Sequence, residues 1–233
     1  MFDTKTKGET GMSQEMEQRQ KLAGLWPDQR QRVDKTLRLW ESAVLLPLRW
    51  TKHGWEILFE VRAANMSWQP GDICFPGGHR EDSDPSFCAT ALRETREELG
   101  IPEDKIQVLG PLDYFYGYSG PMIYPFAGIL PSQVSLQLDK QEVGEVFSVP
   151  LKDLLAIHPV VGKLSLASRQ EPGFPSQWAY GFQDGWNIRG GYEVFFYPWK
   201  KRIIWGITGR ILHQFLERVR QGGILPEAAH RDR

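Results

Sequence analysis

Phe75-Pro76-Gly77-Gly78, a polar loop, and then Ala91-Leu92-Arg93-Glu94-Thr95-Arg96-Glu97-Glu98-Leu99-Gly100-Ile101 form the run that organises this chain. It reads as a tight glycine turn feeding a short acidic loop and then a helix. Asp84 or Ser83 is placed to cap that helix, with Pro85 in its first turn, where a missing N–H costs nothing. Gly100 followed by Ile101-Pro102 supplies the stop. At about 100° per residue, Cys88, Ala91, Leu92, Thr95 and Leu99 share one arc, which is expected to face the core. Glu94, Glu97 and Glu98 share the neighbouring arc, and like charges at that spacing repel. A positive partner is therefore expected against them, and three carboxylates are the oxygen-rich surroundings that hard divalent cations prefer. Arg93 and Arg96 flank the acids, and the carbonyl of Gly78 or Gly77 is the backbone oxygen that would complete the shell.

Outward from this run, composition sets the bounds. The chain has 233 residues, 41% hydrophobic and 24% charged, with a formal net charge of −1. That is ordinary globular composition with room for one sizeable domain. The near-neutral balance gives no electrostatic footprint for nucleic acid or an anionic membrane, so neither is expected as a partner. Cys74 and Cys88 make neither a disulfide framework nor a CxxC site, and Cys88 reads as a small core residue. No apolar run approaches a membrane span and no basic-then-apolar leader is visible, so a cytoplasmic location is the expectation.

Residues 1–38 read as an N-terminal extension, frayed at first and then in helical pieces broken at Pro27. The main domain is expected over 39–222, followed by a loose tail at 223–233. Glu41 to Trp50 and Trp55 to Arg62 read as a hairpin around Thr51-Lys52-His53-Gly54. Ile73 to Phe75 is a short strand, and Ile106 to Leu112, Met122 to Leu130 and Glu142 to Val149 are further strands. Leu151 to Ala156 is a short helix introduced by Pro150. The segment 159–191, rich in Gly, Pro, Gln and Trp, shows no sustained period and reads as a long insertion, a lid or the arm of a homodimer. Tyr192 to Tyr197 resumes a strand, and a final helix runs from Gly206 to Gly222. The fold class is α/β, with a central mixed sheet covered on both faces.

The opening run resembles the Nudix box, filled here by Gly78, Asp84, Arg93, Glu94, Glu97, Glu98, Gly100 and Ile101, with a spacer between Asp84 and Arg93 one residue longer than the general pattern. The stretch from Phe59 to Gly78 is similar to the block marking coenzyme A pyrophosphatases within that superfamily, which also carry the longer spacer and a Thr-Ala-Leu-Arg-Glu run, here Thr90 to Glu94. Glu142 to Leu151 and Ile204 to Gly209 resemble later blocks of the same subfamily. One departure stands out: Ser67 and Gln69 occupy the positions where those enzymes carry Arg and His.

The resemblance implies a Nudix-type α-β-α sandwich and metal-dependent hydrolysis, with Mg²⁺ or Mn²⁺, of a nucleoside diphosphate linked to another moiety. For coenzyme A the products would be 3′,5′-ADP and 4′-phosphopantetheine. Glu94 and Glu98 are the leading ligands, and Glu97 is either a third ligand or the base that takes the water's proton. Arg93 is expected to orient a glutamate, and Asp84 to hold the surrounding shell. Glu142 is the candidate for a further acid on a distant loop, ahead of Asp139 and Glu145; for Glu145 a solvent-facing role is favoured. Arg62, Ser67, Gln69 and Tyr116 are the substrate-binding candidates. Arg62 is read as a phosphate contact or a surface ion pair, and the Tyr114–Tyr118 aromatics as an adenine platform or core packing. The competing readings are a Nudix pyrophosphatase for NADH, ADP-ribose or a dinucleoside polyphosphate, and a nucleotide sensor without turnover.

Overall fold

β1 (Glu41–Thr51) and β2 (Gly54–Arg62) form the hairpin that the two apolar runs predict, paired from Leu48↔Ile57 to Thr51↔Gly54. Thr51 Oγ1 donates to the Gly54 carbonyl at 3.0 Å and fixes the turn. The computed structural model describes residues 40–116, 122–179, 181 and 185–222; the extension read at 1–38, Tyr118 and the tail at 223–233 lie outside the described residues. All described residues belong to one unit, Leu39–Arg233.

β1 is the centre of the sheet. It pairs antiparallel with β2 and with β4 (Gly77–His79), and parallel with β7 (Met122–Ile129). β3 (Ile73–Cys74) and β8 (Val143–Pro150) pair with β2, while β5 (Gln107–Pro111) and β6 (Phe115–Tyr116) pair with β7. The sheet is thus mixed, as expected. A strand buried on both faces carries apolar residues at odd and even positions alike, and β1 does so. Ala43 and Leu45 face one cluster, which also holds Ala91 and Leu99 of α1 (Phe87–Leu99). Leu46 and Leu48 face the other, with Leu151 and Leu154 of α2 (Leu151–Ala156) and Ile211, Leu212, Phe215 and Leu216 of α3 (Gly206–Gly222). Helices on both faces give the α-β-α sandwich.

The start of α1 corrects the capping expectation. Neither Asp84 nor Ser83 caps it; Ser86 does, its hydroxyl accepting from the Ala89 amide at 3.1 Å, so Pro85 precedes the helix instead of lying in its first turn. The reason is competition: the Asp84 carboxylate is already taken by the Arg93 guanidinium and the Glu81 amide. Gly100, in the left-handed region at φ 71°, ends the helix as predicted and donates to the Arg96 carbonyl at 2.8 Å. The expected apolar arc is rotated. Ala91, Thr95 and Leu99 are buried, but Cys88 and Leu92 are only half-buried, whereas Thr90 and Glu98 lie inside.

The irregular insertion predicted over 159–191 is instead most of a long hairpin. β9 (Val160–Ser168) pairs antiparallel with β10 (Asn187–Trp199), from Phe196↔Val160 to Asn187↔Ser168, and β11 (Arg202–Ile204) continues that sheet. Its period is hidden in the sequence by Gly162, Gly190 and Gly191 and by a register break between Ile188 and Gly190. Among the described residues no helix is long and apolar enough to cross a membrane.

Candidate active site

α1 lies against β4 because Gly78 has no side chain. The Ala43↔Gly78 pairing places Gly78 on the same face as Ala43, toward α1, and a Cβ there would fall 2.6 Å from the Glu94 carboxylate. The neighbouring Gly77 amide donates to Glu98 Oε2 at 2.8 Å, binding the helix acid to the glycine turn. Gly78→Ala is therefore expected to leave the fold intact, since the atoms it meets are the far end of a flexible side chain. It should displace Glu94 and lower turnover by about tenfold or more. Melting curves and steady-state kinetics on the same preparation check this.

Glu98 is 4% exposed and the Glu94 side chain 13%, so both carboxylates pay for desolvation. Burial pushes the Glu98 carboxyl well above the ordinary range, and Glu60, Glu94 and Glu142 push it further. Burial likewise raises Glu94, tempered by Arg93 and reinforced by Glu97 and Glu142. Glu97 is different. Its side chain is 48% exposed and held by Arg93 at 2.9 Å and Arg96 at 2.8 Å.

Arg93 joins the parts. It grips Asp84 through Nε and Nη2, both at 3.1 Å, donates to the His79 carbonyl at 2.9 Å, and pairs with Glu94 at 2.9 Å. The Arg93 hydrogen bonds hold the Asp84 carboxyl down to about 2, from an ordinary 3.8. A carboxyl whose folded pKa is depressed lends stability that is present above about pH 4 and is lost as the pH falls toward 2. Asp84 is 6% exposed, so this amounts to about 2 kcal/mol. The difference in chemical-denaturation stability between wild type and Asp84→Asn should accordingly shrink across that interval.

The 137–142 loop is tied to the end of α1. Gln137 and Asp139 donate their amides to the Leu99 and Glu98 carbonyls at 2.9 and 3.0 Å, and Ala63 donates to the Glu142 carbonyl at 2.8 Å. Glu142 is exposed, yet its charge raises Glu60, Glu94 and Glu98. Glu145 faces solvent in an ion pair with Arg202 at 2.7 Å, as favoured. Arg62, half-buried, donates to the Trp68 carbonyl at 3.2 Å and steadies the loop from Ala63 to Asp72, on which Ser67 and Gln69 are exposed. Tyr116 is half-buried in β6, opposite Met122.

One buried acid near the candidate site escaped the sequence reading. Glu60 is 1% exposed in β2, its Oε1 has no hydrogen-bond partner among the described residues, and burial pushes its pKa up to about 8, with Arg62 opposing and Glu142 adding to the shift. The available signal was a lone acid inside the apolar run Leu58-Phe59-Glu60-Val61. Burial also raises the Cys74 and Cys88 thiols, which fits inert packing residues.

Among the described residues no three His, Cys, Asp or Glu side chains are gathered closely enough to hold a metal ion by themselves. The donor chemistry nevertheless fits a hard divalent cation: carboxylate oxygens that raise one another, one of them buried and orphaned. The NUDIX domain profile matches residues 40–169. The chain belongs to the Nudix family. It is 33% identical over 178 residues to a Photorhabdus laumondii protein named as an uncharacterized Nudix hydrolase NudL, covering 76% of this chain and 84% of that one. A NudL protein of Pectobacterium atrosepticum is 28% identical over 158 residues, covering 68% of this chain and 72% of that one. Among solved structures, the Caenorhabditis elegans Ap4A hydrolase binary complex matches 50% of this chain and 85% of that one, at 20% identity and TM-score 0.43. The Nudix domain makes this protein a pyrophosphohydrolase of a family that generally needs divalent metal ions.

Proposed function

We propose that this Nudix enzyme hydrolyses the pyrophosphate of coenzyme A or an acyl derivative, releasing 3′,5′-ADP and 4′-phosphopantetheine. One observation carries the reading: the three separate sequence blocks that resemble coenzyme A pyrophosphatases meet in space. The block in β2 pairs with the block in β8 through Phe59↔Phe147 and Glu60↔Val146. The third block joins them where the Thr208 hydroxyl donates to the Ile73 carbonyl at 3.0 Å. A shared substrate surface would explain why such distant stretches resemble one subfamily together.

Glu94 and Glu98, with Glu97 or the Gly78 carbonyl, would hold Mg²⁺ or Mn²⁺. A divalent ion there supplies charge neutralisation for the pyrophosphate oxygens and lowers the pKa of nearby water. Arg93 fixes the direction of Glu94 and Glu97, so each presents a set oxygen to the reacting group. Glu97, the more exposed acid, would accept a proton, and Glu142, on the loop tied to the end of α1, would add a further acid, a role its electrostatic effect on Glu94 and Glu98 supports. Arg62 offers a cation to a phosphate oxygen.

Ser67 and Gln69 favour a second reading, a different nucleoside diphosphate derivative such as NADH, ADP-ribose or a dinucleoside polyphosphate. Both are exposed where the subfamily carries two basic or titratable side chains. Incubating the full-length protein with each compound and Mg²⁺ or Mn²⁺, followed by product mass analysis, separates the two. Conversion of coenzyme A to 3′,5′-ADP at the highest kcat/KM is the expected result; an untouched coenzyme A beside cleaved NADH or ADP-ribose overturns it.

A further inference from the structure

We infer that Glu60, from the sheet and not from the Nudix helix, is a ligand of the same divalent cation. The inference rests on the metal reading above and adds to it a donor outside the box. In a strand, side chains alternate between faces. Phe59 packs in the cluster on the α3 side, whereas Leu58 packs in the cluster that holds Ala91 and Leu99 of α1. Glu60 follows Leu58 by two residues and so points to the α1 side, where Glu94 and Glu98 lie.

Its surroundings leave little else for it to do. β2 is flanked at this position on both edges, Glu60 pairing with Cys74 of β3 and Val146 of β8, so it sits in the interior of the sheet. It is 1% exposed and, among the described residues, its Oε1 lacks a hydrogen-bond partner. A buried polar oxygen without a partner carries the full desolvation cost, and sequences retain such a group where it serves a ligand. A cation between β2 and α1 would satisfy that oxygen and bring together two acids that repel each other. Leu58, one strand repeat earlier on the same face, shows that an apolar side chain is accommodated beside α1.

The test is Mn²⁺ binding to the full-length protein, followed by the loss of the free-ion paramagnetic resonance signal, for wild type, Glu60→Gln, Glu60→Asp and Glu94→Gln. Glutamine keeps the size and hydrogen-bonding ability of a protonated Glu60 but removes its metal-ligating charge. Glu60→Gln is expected to weaken Mn²⁺ binding at least about tenfold, the scale seen on disturbing a metal's supporting shell. Glu60→Asp should fall between it and wild type. Metal-free Glu60→Gln should melt no lower than wild type, because a buried carboxyl has been neutralised at constant size. Wild-type affinity in Glu60→Gln, alongside weakened binding in Glu94→Gln, overturns the role of Glu60 and leaves the metal site standing. No Mn²⁺ binding by the wild type overturns both.

Discussion

Glu98→Gln is expected to lower kcat by at least about 10², the cost of removing one charged contact made in the transition state, while the metal-free protein melts at or above the wild-type temperature. The two effects have a common cause. Glu98 is 4% exposed, and burial together with Glu60 disfavours its ionised form. When ionised, Glu98 puts an unfavourable charge into the folded state, which the Gly77 amide offsets in part and a cation would offset further. Glutamine removes that charge yet still presents an oxygen to the Gly77 amide, which now holds Glu98 Oε2 at 2.8 Å. Stability and turnover should move in opposite directions. Rates with saturating Mg²⁺ or Mn²⁺ and thermal melts in chelator measure the two separately. Unchanged kcat would remove Glu98 from the mechanism, and a collapse of melting temperature would make it a structural acid.

The largest loss of stability should come from Arg93→Ala. Arg93 bridges the helix, the acidic loop and β4 through Asp84, the His79 carbonyl and two helix glutamates. Its partner Asp84 is 6% exposed and would be left as a buried, unpaired carboxylate. Removing one member of such a pair costs about 3–5 kcal/mol, a fall in melting temperature on the order of 10 °C for a domain of this size. The second substitution in the pair discriminates the cause. Arg93→Ala combined with Asp84→Asn should recover much of the stability, because no orphaned charge remains, and should recover little of the activity, because Glu94 and Glu97 still lack their guide. A double mutant as unstable as the single one would show that the His79 bond, not the ion pair, holds the loop.

Much of the site was legible in order of residues. The acids of α1 recur at helical spacing, the glycine stop follows, and the turn of Gly77-Gly78 stands a fixed distance upstream. These are local relations that survive without knowledge of the fold. Details that depend on competition were not legible. Asp84 looked like a cap until Arg93, nine residues later, proved the stronger partner, which passed the cap to Ser86. β9 and β10 looked irregular because glycines and a bulge erase the two-residue period, although cross-strand pairing needs no such period to form.

Glu60 shows where the boundary lies. In Trp55-Glu56-Ile57-Leu58-Phe59-Glu60-Val61-Arg62 it shares a strand face with the charged Glu56 and with the apolar Leu58, so alternation alone does not decide whether it faces solvent. Glu56 does keep a surface partner, Arg49, at 3.3 Å. Glu60 is buried where β3 and β8 flank it and Leu58, two residues earlier on its face, packs in one cluster with Ala91 and Leu99 of α1, all of which come from other parts of the chain. The helix, its acids and the glycine turn follow from residue order, since spacing along one element decides which side chains share an arc. Which acids are buried, which are held by arginine and which oxygen is orphaned follow from the packing of separate elements. Burial and partnership belong to surfaces brought together by folding, and no single segment carries them.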